Sequence, residues 1–141
     1  MLEKLNEAKK YLLSRCKTFP ETVVVLGSGM ATVLSEMQVQ DEISFNDIPH
    51  VPGVTVQGHV GKVKIGKLDD KPLAVLQGRL HYYEGHSIQT VVFPFRAMAL
   101  AGAETFILTN AAGGMNLSLK PASLMLVKDH INAMGTNPLI G

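Results

Sequence analysis

The sequence predicts an α/β fold, a mixed β-sheet sandwiched by helices, and three observations carry that prediction. Two β-branched, apolar runs, Thr22–Leu26 and Thr105–Thr109, have the character of strands buried on both faces. Each ends in a short loop of small residues, Gly27-Ser28-Gly29 and Asn110-Ala111-Ala112-Gly113-Gly114. Stretches of helical period are interspersed with these strands, and helices alternating with buried strands cover a sheet on its faces.

The first element is an amphipathic helix, because Leu2, Leu5, Ala8, Leu12, Leu13 and Cys16 recur at helical spacing with Lys and Glu between them. Pro20 ends that region, and the Thr22–Leu26 strand follows. Beyond Gly29 the stretch Met30 to Met37 has a helical pattern, and Ile43 to Gly53 reads as irregular because Pro49, Pro52 and Gly53 break it. Short strands are predicted at Val54–Gln57, Lys62–Lys67 and Pro72–Leu76, separated by turns at Gly58-His59-Val60-Gly61 and Leu68-Asp69-Asp70. A loop from Gln77 to Gly85 leads to a helix over Ser87–Ala101, where Pro94 is expected to kink the helix or mark its start. The Thr105–Thr109 strand comes next, and a last strand is predicted at Ser123–Val127. No internal repeat, low-complexity tract or linker divides the chain, so residues 1–141 are read as part of a single domain.

Composition bounds the function. The chain has 141 residues, 46% of them hydrophobic, which suffices for one core. A net charge of +1 argues against a nucleic-acid surface, which would display clustered Lys and Arg. The single cysteine, Cys16, cannot close an intrachain disulfide and fits a reducing compartment. The start MLEKLNEAKK lacks the apolar stretch of a signal peptide, and no run of about 18 apolar residues occurs. The expected location is therefore cytoplasmic, with no membrane partner.

In α/β proteins ligands settle in the crevice outside the carboxyl ends of the strands, which directs attention to Gly27–Gly29 and Asn110–Gly114. Glycines let the backbone approach a ligand closely, Ser28 adds a hydroxyl, and a helix starting after Gly29 would turn its N–H groups toward an anion. The loop is neither a dinucleotide fingerprint nor a P-loop, since Thr32 stands at the third Gly position and no Lys-Ser/Thr follows. A tight strand-to-helix turn explains it about as well. Between Gln77 and Gly85 lie a guanidinium, an imidazole, two phenols and a carboxylate. Arg79 has the fork to grip two phosphate oxygens, and alternation along an extended segment would set His81 and Tyr83 on its side. Glu84 is close enough to orient the tautomer of His81 or of His86.

Taken together, Gly27-Ser28-Gly29, the run Gln77-Gly-Arg-Leu-His-Tyr-Tyr-Glu-Gly85, Phe93-Pro94-Phe95-Arg96, Thr109-Asn-Ala-Ala-Gly-Gly114 and Lys128-Asp-His-Ile-Asn132 follow an order and spacing that resembles the trimeric-type purine nucleoside phosphorylases. The resemblance covers nearly the whole chain. It implies a nucleoside phosphorylase-like sheet, incomplete at its C-terminus, and phosphate-dependent cleavage of purine ribonucleosides or deoxyribonucleosides to free base and pentose 1-phosphate. Arg79 and His81 would be catalytic, with Ser28, Arg79, His81 and the backbone N–H of Ala111 binding phosphate. Tyr83 would touch the ribose, and Asn110, Ala112 and Gly113 would pass beneath sugar and base. His59 resembles the histidine of a mobile loop that closes over phosphate, a candidate lid. His130 and Asn132 are assigned structural roles, and His50 and His86 surface or packing roles. The resemblance implies no metal and no cofactor, inorganic phosphate being a co-substrate, and a homotrimer when the missing half is present.

Complete members of that family continue well past a segment like Asn137–Gly141, and the later half supplies the groups that bind the purine and the ribose 5′-hydroxyl. None has a counterpart here. The sequence is thus expected to hold the phosphate and ribose half of a site. The alternative is a non-catalytic fragment that at most binds phosphate or assembles with a second polypeptide.

Overall fold

A computed structural model describes residues 1–53 and 60–140 of the chain. The strand expected at Val54–Gln57 and the candidate lid His59 lie outside the described residues. Helix α1 spans Leu2–Arg15 and buries Leu5, Ala8 and Leu12, the stripe that the period of 3.6 demands. Strand β1 (Thr22–Leu26), β2 (Gln38–Ser44), β3 (Lys62–Leu68), β4 (Lys71–Gln77) and β5 (Thr105–Leu108) form one sheet in the order β2-β3-β4-β1-β5. Helix α2 spans Ile88–Ala101.

The sheet is mixed. β1 runs parallel to β4 on one side and to β5 on the other, with Leu26 opposite Gln77 and Val25 opposite Leu108. The three strands therefore release their chains at the same end. β3 and β4 form an antiparallel hairpin whose turn residues, Asp69 and Asp70, both have positive φ, the twist that a two-residue hairpin requires. Alternate residues of the strands feed two cores. Val23, Val25, Val63, Ile65, Ala74 and Leu76 meet both α-helices on one face, through Leu12, Phe93, Ala97 and Met98 among others. On the other face Leu26, Leu73 and Val75 pack with Met37, with Leu34 of the 3₁₀ turn Ala31–Ser35 and with Met30, which caps that turn.

Four elements depart from expectation. Thr105–Leu108 forms a strand, but at the edge of the sheet and not buried on both faces, since no strand among the described residues pairs with its far side. Gln38–Ser44 is a strand, overlapping the start of the stretch read as irregular, and it escapes pattern reading because it is an edge. Backbone pairing to β3 needs no apolar face, and only Ile43 is buried. Met30–Met37 yields only the five-residue 3₁₀ turn, too short to carry the helix dipole invoked for anion binding. Ser123–Val127 forms no strand: every residue from 110 to 135 is exposed, and none finds a ladder partner among the described residues. Pro94 does not mark a helix start. Helix α2 begins at Ile88, behind the cap of Ser87, whose hydroxyl accepts the Thr90 N–H at 3.1 Å.

Candidate functional site

The shared exit of β1, β4 and β5 is tied together by one side chain. Thr109 Oγ1 donates to the Val25 carbonyl at 2.9 Å and accepts the Gly27 N–H at 2.8 Å, while the Thr109 N–H also reaches the Val25 carbonyl at 3.0 Å. From the β4 side, Arg79 Nη1 donates to the Thr109 carbonyl at 3.1 Å. Backbones approach so closely here that a Cβ on Gly27 would sit 2.6 Å from the Thr109 oxygen and 2.9 Å from the Asn110 Cα. No residue with a side chain fits at Gly27 without moving the β5 exit.

Past that junction the chain opens outward. Gly29 has φ of 80° and faces open space, which leaves its backbone accessible to a ligand. A cavity of about 260 Å³ lies at the strand ends, lined by Leu26, Gly27, Ser28, Gly29, Ala31, Val60, Gln77 and Gly78. Of the residues expected to bind, Ser28 lines this cavity. Arg79 follows its wall residue Gly78 directly, and Asn110 is joined to it through Thr109. Ala111, Ala112 and Gly113 continue from Asn110 as an exposed segment.

The chain after Arg79 is not extended throughout. Leu80 turns into the core, His81 keeps an extended backbone, and Tyr82–Glu84 closes a 3₁₀ turn. That turn brings the His81 and Tyr83 rings into a stack, with centroids 4.7 Å apart and planes 22° from parallel. Tyr83 remains 77% exposed, its ring presented to solvent beside the imidazole. His81 and Tyr83 thus meet through a turn and not through the expected strand alternation, and neither lines the cavity that Ser28 lines.

Of the two histidines that the sequence offered it, Glu84 hydrogen-bonds His81 and lies only at ion-pair distance from His86. Its Oε1 lies 2.5 Å from His81 Nδ1 and accepts the His81 backbone N–H at 3.0 Å, and Oε2 lies 3.6 Å from His86 Nε2. A carboxylate at Nδ1 makes that nitrogen the protonated one and so sets the ring's tautomer. Burial of Glu84 acts against its charge, but the hydrogen bond from the His81 ring, the attraction of both histidines and the His81 backbone N–H outweigh it. The carboxyl consequently lies below its ordinary pKa. His86, expected only as a packing or surface residue, is a member of this cluster.

Sequence reasoning missed the role of Thr109, which appeared only as the end of a strand. The available signal was a hydroxyl at the last position of a buried strand, just before a small-residue loop. Among the described residues no group of three or more His, Cys, Asp or Glu is placed to hold a metal ion, and no helix is long and apolar enough to cross a membrane.

The model of the phosphorylase superfamily matches residues 21–141. Purine nucleoside phosphorylase 1 of Geobacillus stearothermophilus is 44% identical over 97% of this chain and 50% of its own length. The purine nucleoside phosphorylase of Mus musculus is 39% identical over 99% of this chain and 49% of its own. Among solved structures, isoform 2 of the Schistosoma mansoni enzyme, in complex with cytosine and ribose-1-phosphate, superposes with a TM-score of 0.75 at 36% identity. That superposition covers 84% of this chain and 41% of the other. The chain spans about half the length of the curated relatives it matches. With three parallel strands ending together at the junction beside this cavity and the family's model matching residues 21–141, this chain belongs to the phosphorylase superfamily.

Proposed function

We propose that this chain carries the phosphate and ribose half of a purine nucleoside phosphorylase site, as the N-terminal part of a single domain. The observation that supports the reading is the junction at Thr109, whose hydroxyl holds Gly27, next to the cavity-lining Ser28, and whose carbonyl holds the Arg79 guanidinium. A tetrahedral anion there would meet the Ser28 hydroxyl, the Arg79 fork, His81 and the Ala111 N–H. Ribose would lie against the exposed ring of Tyr83, with Asn110, Ala112 and Gly113 beneath sugar and base. The ribose-1-phosphate bound to the Schistosoma mansoni relative is the product such a site releases.

In the reaction a phosphate oxygen forms a bond to the anomeric carbon as the bond from that carbon to the purine nitrogen breaks. The bonding pair leaves with the base, which takes up a proton. Positive charge develops on the sugar, and a phosphate fixed against it stabilises that charge. Holding the nucleophile in place is worth about 7–11 kcal/mol in ideal intramolecular cases. His81, with its tautomer set by Glu84, contributes an oriented nitrogen to this grip. Inorganic phosphate is the co-substrate, and the whole enzyme is read as a cytoplasmic homotrimer in purine salvage.

A second reading rests on the half-length match: the chain alone binds phosphate without turnover, or completes its site with a second polypeptide. Phosphorolysis of inosine and guanosine by the purified chain, with and without phosphate and beside Arg79→Ala, separates the two. Turnover that requires phosphate and vanishes in the variant establishes catalysis by this chain. Phosphate binding abolished by the same substitution, with no turnover, establishes the second reading. Loss of neither activity nor binding in Arg79→Ala would overturn both.

A further inference from the structure

Outside the lining of the cavity, three groups close a ring of hydrogen bonds. Arg96 Nη1 donates to Gln89 Oε1 at 2.7 Å, Gln89 Nε2 donates to the Pro138 carbonyl at 3.2 Å, and Arg96 Nη2 donates to the same carbonyl at 2.9 Å. Gln89 and Arg96 stand two turns apart on α2 and so share a face of it. The Pro138 oxygen receives two donors, which uses both of its lone pairs. The Gln89 amide has one workable orientation, because the flipped amide would set its NH₂ against the guanidinium.

The composition of this ring is unusual for an arginine. Among the described residues no carboxylate lies within ion-pair distance of Arg96, so its donors go to neutral acceptors. Both partners, an amide side chain and a carbonyl, are served by two arms of one planar fork, a geometry that the single ammonium of lysine does not reproduce. What the ring holds is equally distinctive. From residue 110 to 140 the chain has neither helix nor strand, and only Thr136 and Pro138 are half-buried while the rest are exposed. The remaining hydrogen bonds of the segment are local, such as Leu119 to Asn116, Ser123 to Lys120 and Asn132 to Thr136.

We infer that Gln89 and Arg96 are positioning residues that clamp the backbone at Pro138 to α2. They convert the stretch after β5 from a tail into a loop closed at both ends, at Thr109 by the strand junction and at Pro138 by the clamp. The inference concerns this chain's own segment and stands whether or not the catalytic reading does. Because the clamp uses neutral acceptors, it is insensitive to salt in a way that a surface ion pair is not.

The test uses pairs of nitroxide labels in the full chain with Cys16→Ser. One pair, at Ala99→Cys and Asn137→Cys, spans the clamp; a control pair, at Lys10→Cys and Ala99→Cys, spans α1 and α2. The clamp predicts a narrow distance distribution for the first pair, unchanged by added salt. Arg96→Met, which keeps the apolar stem, should abolish the narrow peak and leave the control pair unchanged, and Arg96→Lys should restore it incompletely. If Arg96→Met unfolds the chain, Gln89→Leu gives the same reading with the guanidinium in place. A narrow peak that survives both substitutions, or a control pair that broadens together with the first in Gln89→Leu, overturns the inference.

Discussion

Thr109 shows how one hydroxyl can organise a site it does not line. It donates to Val25 and accepts from Gly27, so it fixes the spacing of β1 and β5 at the level where both strands end. Thr109→Val preserves the shape but leaves the half-buried Gly27 N–H without its acceptor, which costs about 1 kcal/mol, the lower end of the range for an unpaired buried donor. Urea unfolding should show that loss as a lower midpoint with an unchanged slope, together with weaker phosphate binding. Glu84 is the second decisive residue, held below its ordinary pKa against the opposing effect of burial. A depressed carboxyl favours the charged form in the fold. Its stabilisation is therefore complete above the ordinary carboxylate range and is lost as the pH falls through the lower, folded value. Glu84→Gln should remove that part of the acid sensitivity, so wild type and variant converge in thermal stability in acid and separate toward neutral pH. Equal separation at every pH would mean that the histidine cluster does not hold the carboxylate.

Helix α2 presents its core residues on one side, Phe93, Pro94, Ala97 and Met98, and starts at a serine cap. Removing that cap hydroxyl, as in Ser87→Ala, is expected to lower stability by about 1 kcal/mol, read by chemical denaturation with helix content unchanged at low denaturant. The elements the sequence revealed are those whose burial leaves a periodic or continuous apolar mark. Thr22–Leu26 and Lys71–Gln77 lie inside the sheet, and α1 shows its stripe in Leu5, Ala8 and Leu12. β2 left no such mark, because Gln38, Gln40, Asp41 and Glu42 gain from backbone pairing what they do not gain from burial. Ser123–Val127 erred the other way: a β-prone run becomes a strand only beside another strand, which no local pattern reports. At the site, the residue types of Gln77–Gly85 marked the segment in the sequence as a candidate for anion binding. The turn that stacks Tyr83 on His81, and the sharing of Glu84 between two histidines, depend on backbone geometry that composition does not encode.

Viewed as a whole, the sheet has two unlike edges. The β2 edge is defended: its register shifts between Val39 and Asp41, Asp41 pairs with Arg15 at 2.5 Å, and Glu42 pairs with Lys62 and Lys64. Those two lysines hold the Glu42 carboxyl down to about 2, so the edge keeps its negative charge through most of the acid range. The β5 edge has neither bulge nor charge. Its residues are Thr105, Phe106, Ile107 and Leu108, with Ile107 48% and Leu108 66% exposed, and its far side meets no strand among the described residues. A bare, apolar strand with unsatisfied ladder groups is a template for pairing with another chain. Self-association of this chain in solution should therefore run through β5 and not through β2. Ile107→Lys places a charge on that edge without altering the register with Val24, and should shift the chain toward monomer in sedimentation at increasing concentration. Val39→Lys, on the defended edge, should leave the distribution as it is. If Val39→Lys disperses the oligomers and Ile107→Lys does not, the exposed β5 edge is not where the molecules meet, and the charges along β2 fail as a barrier.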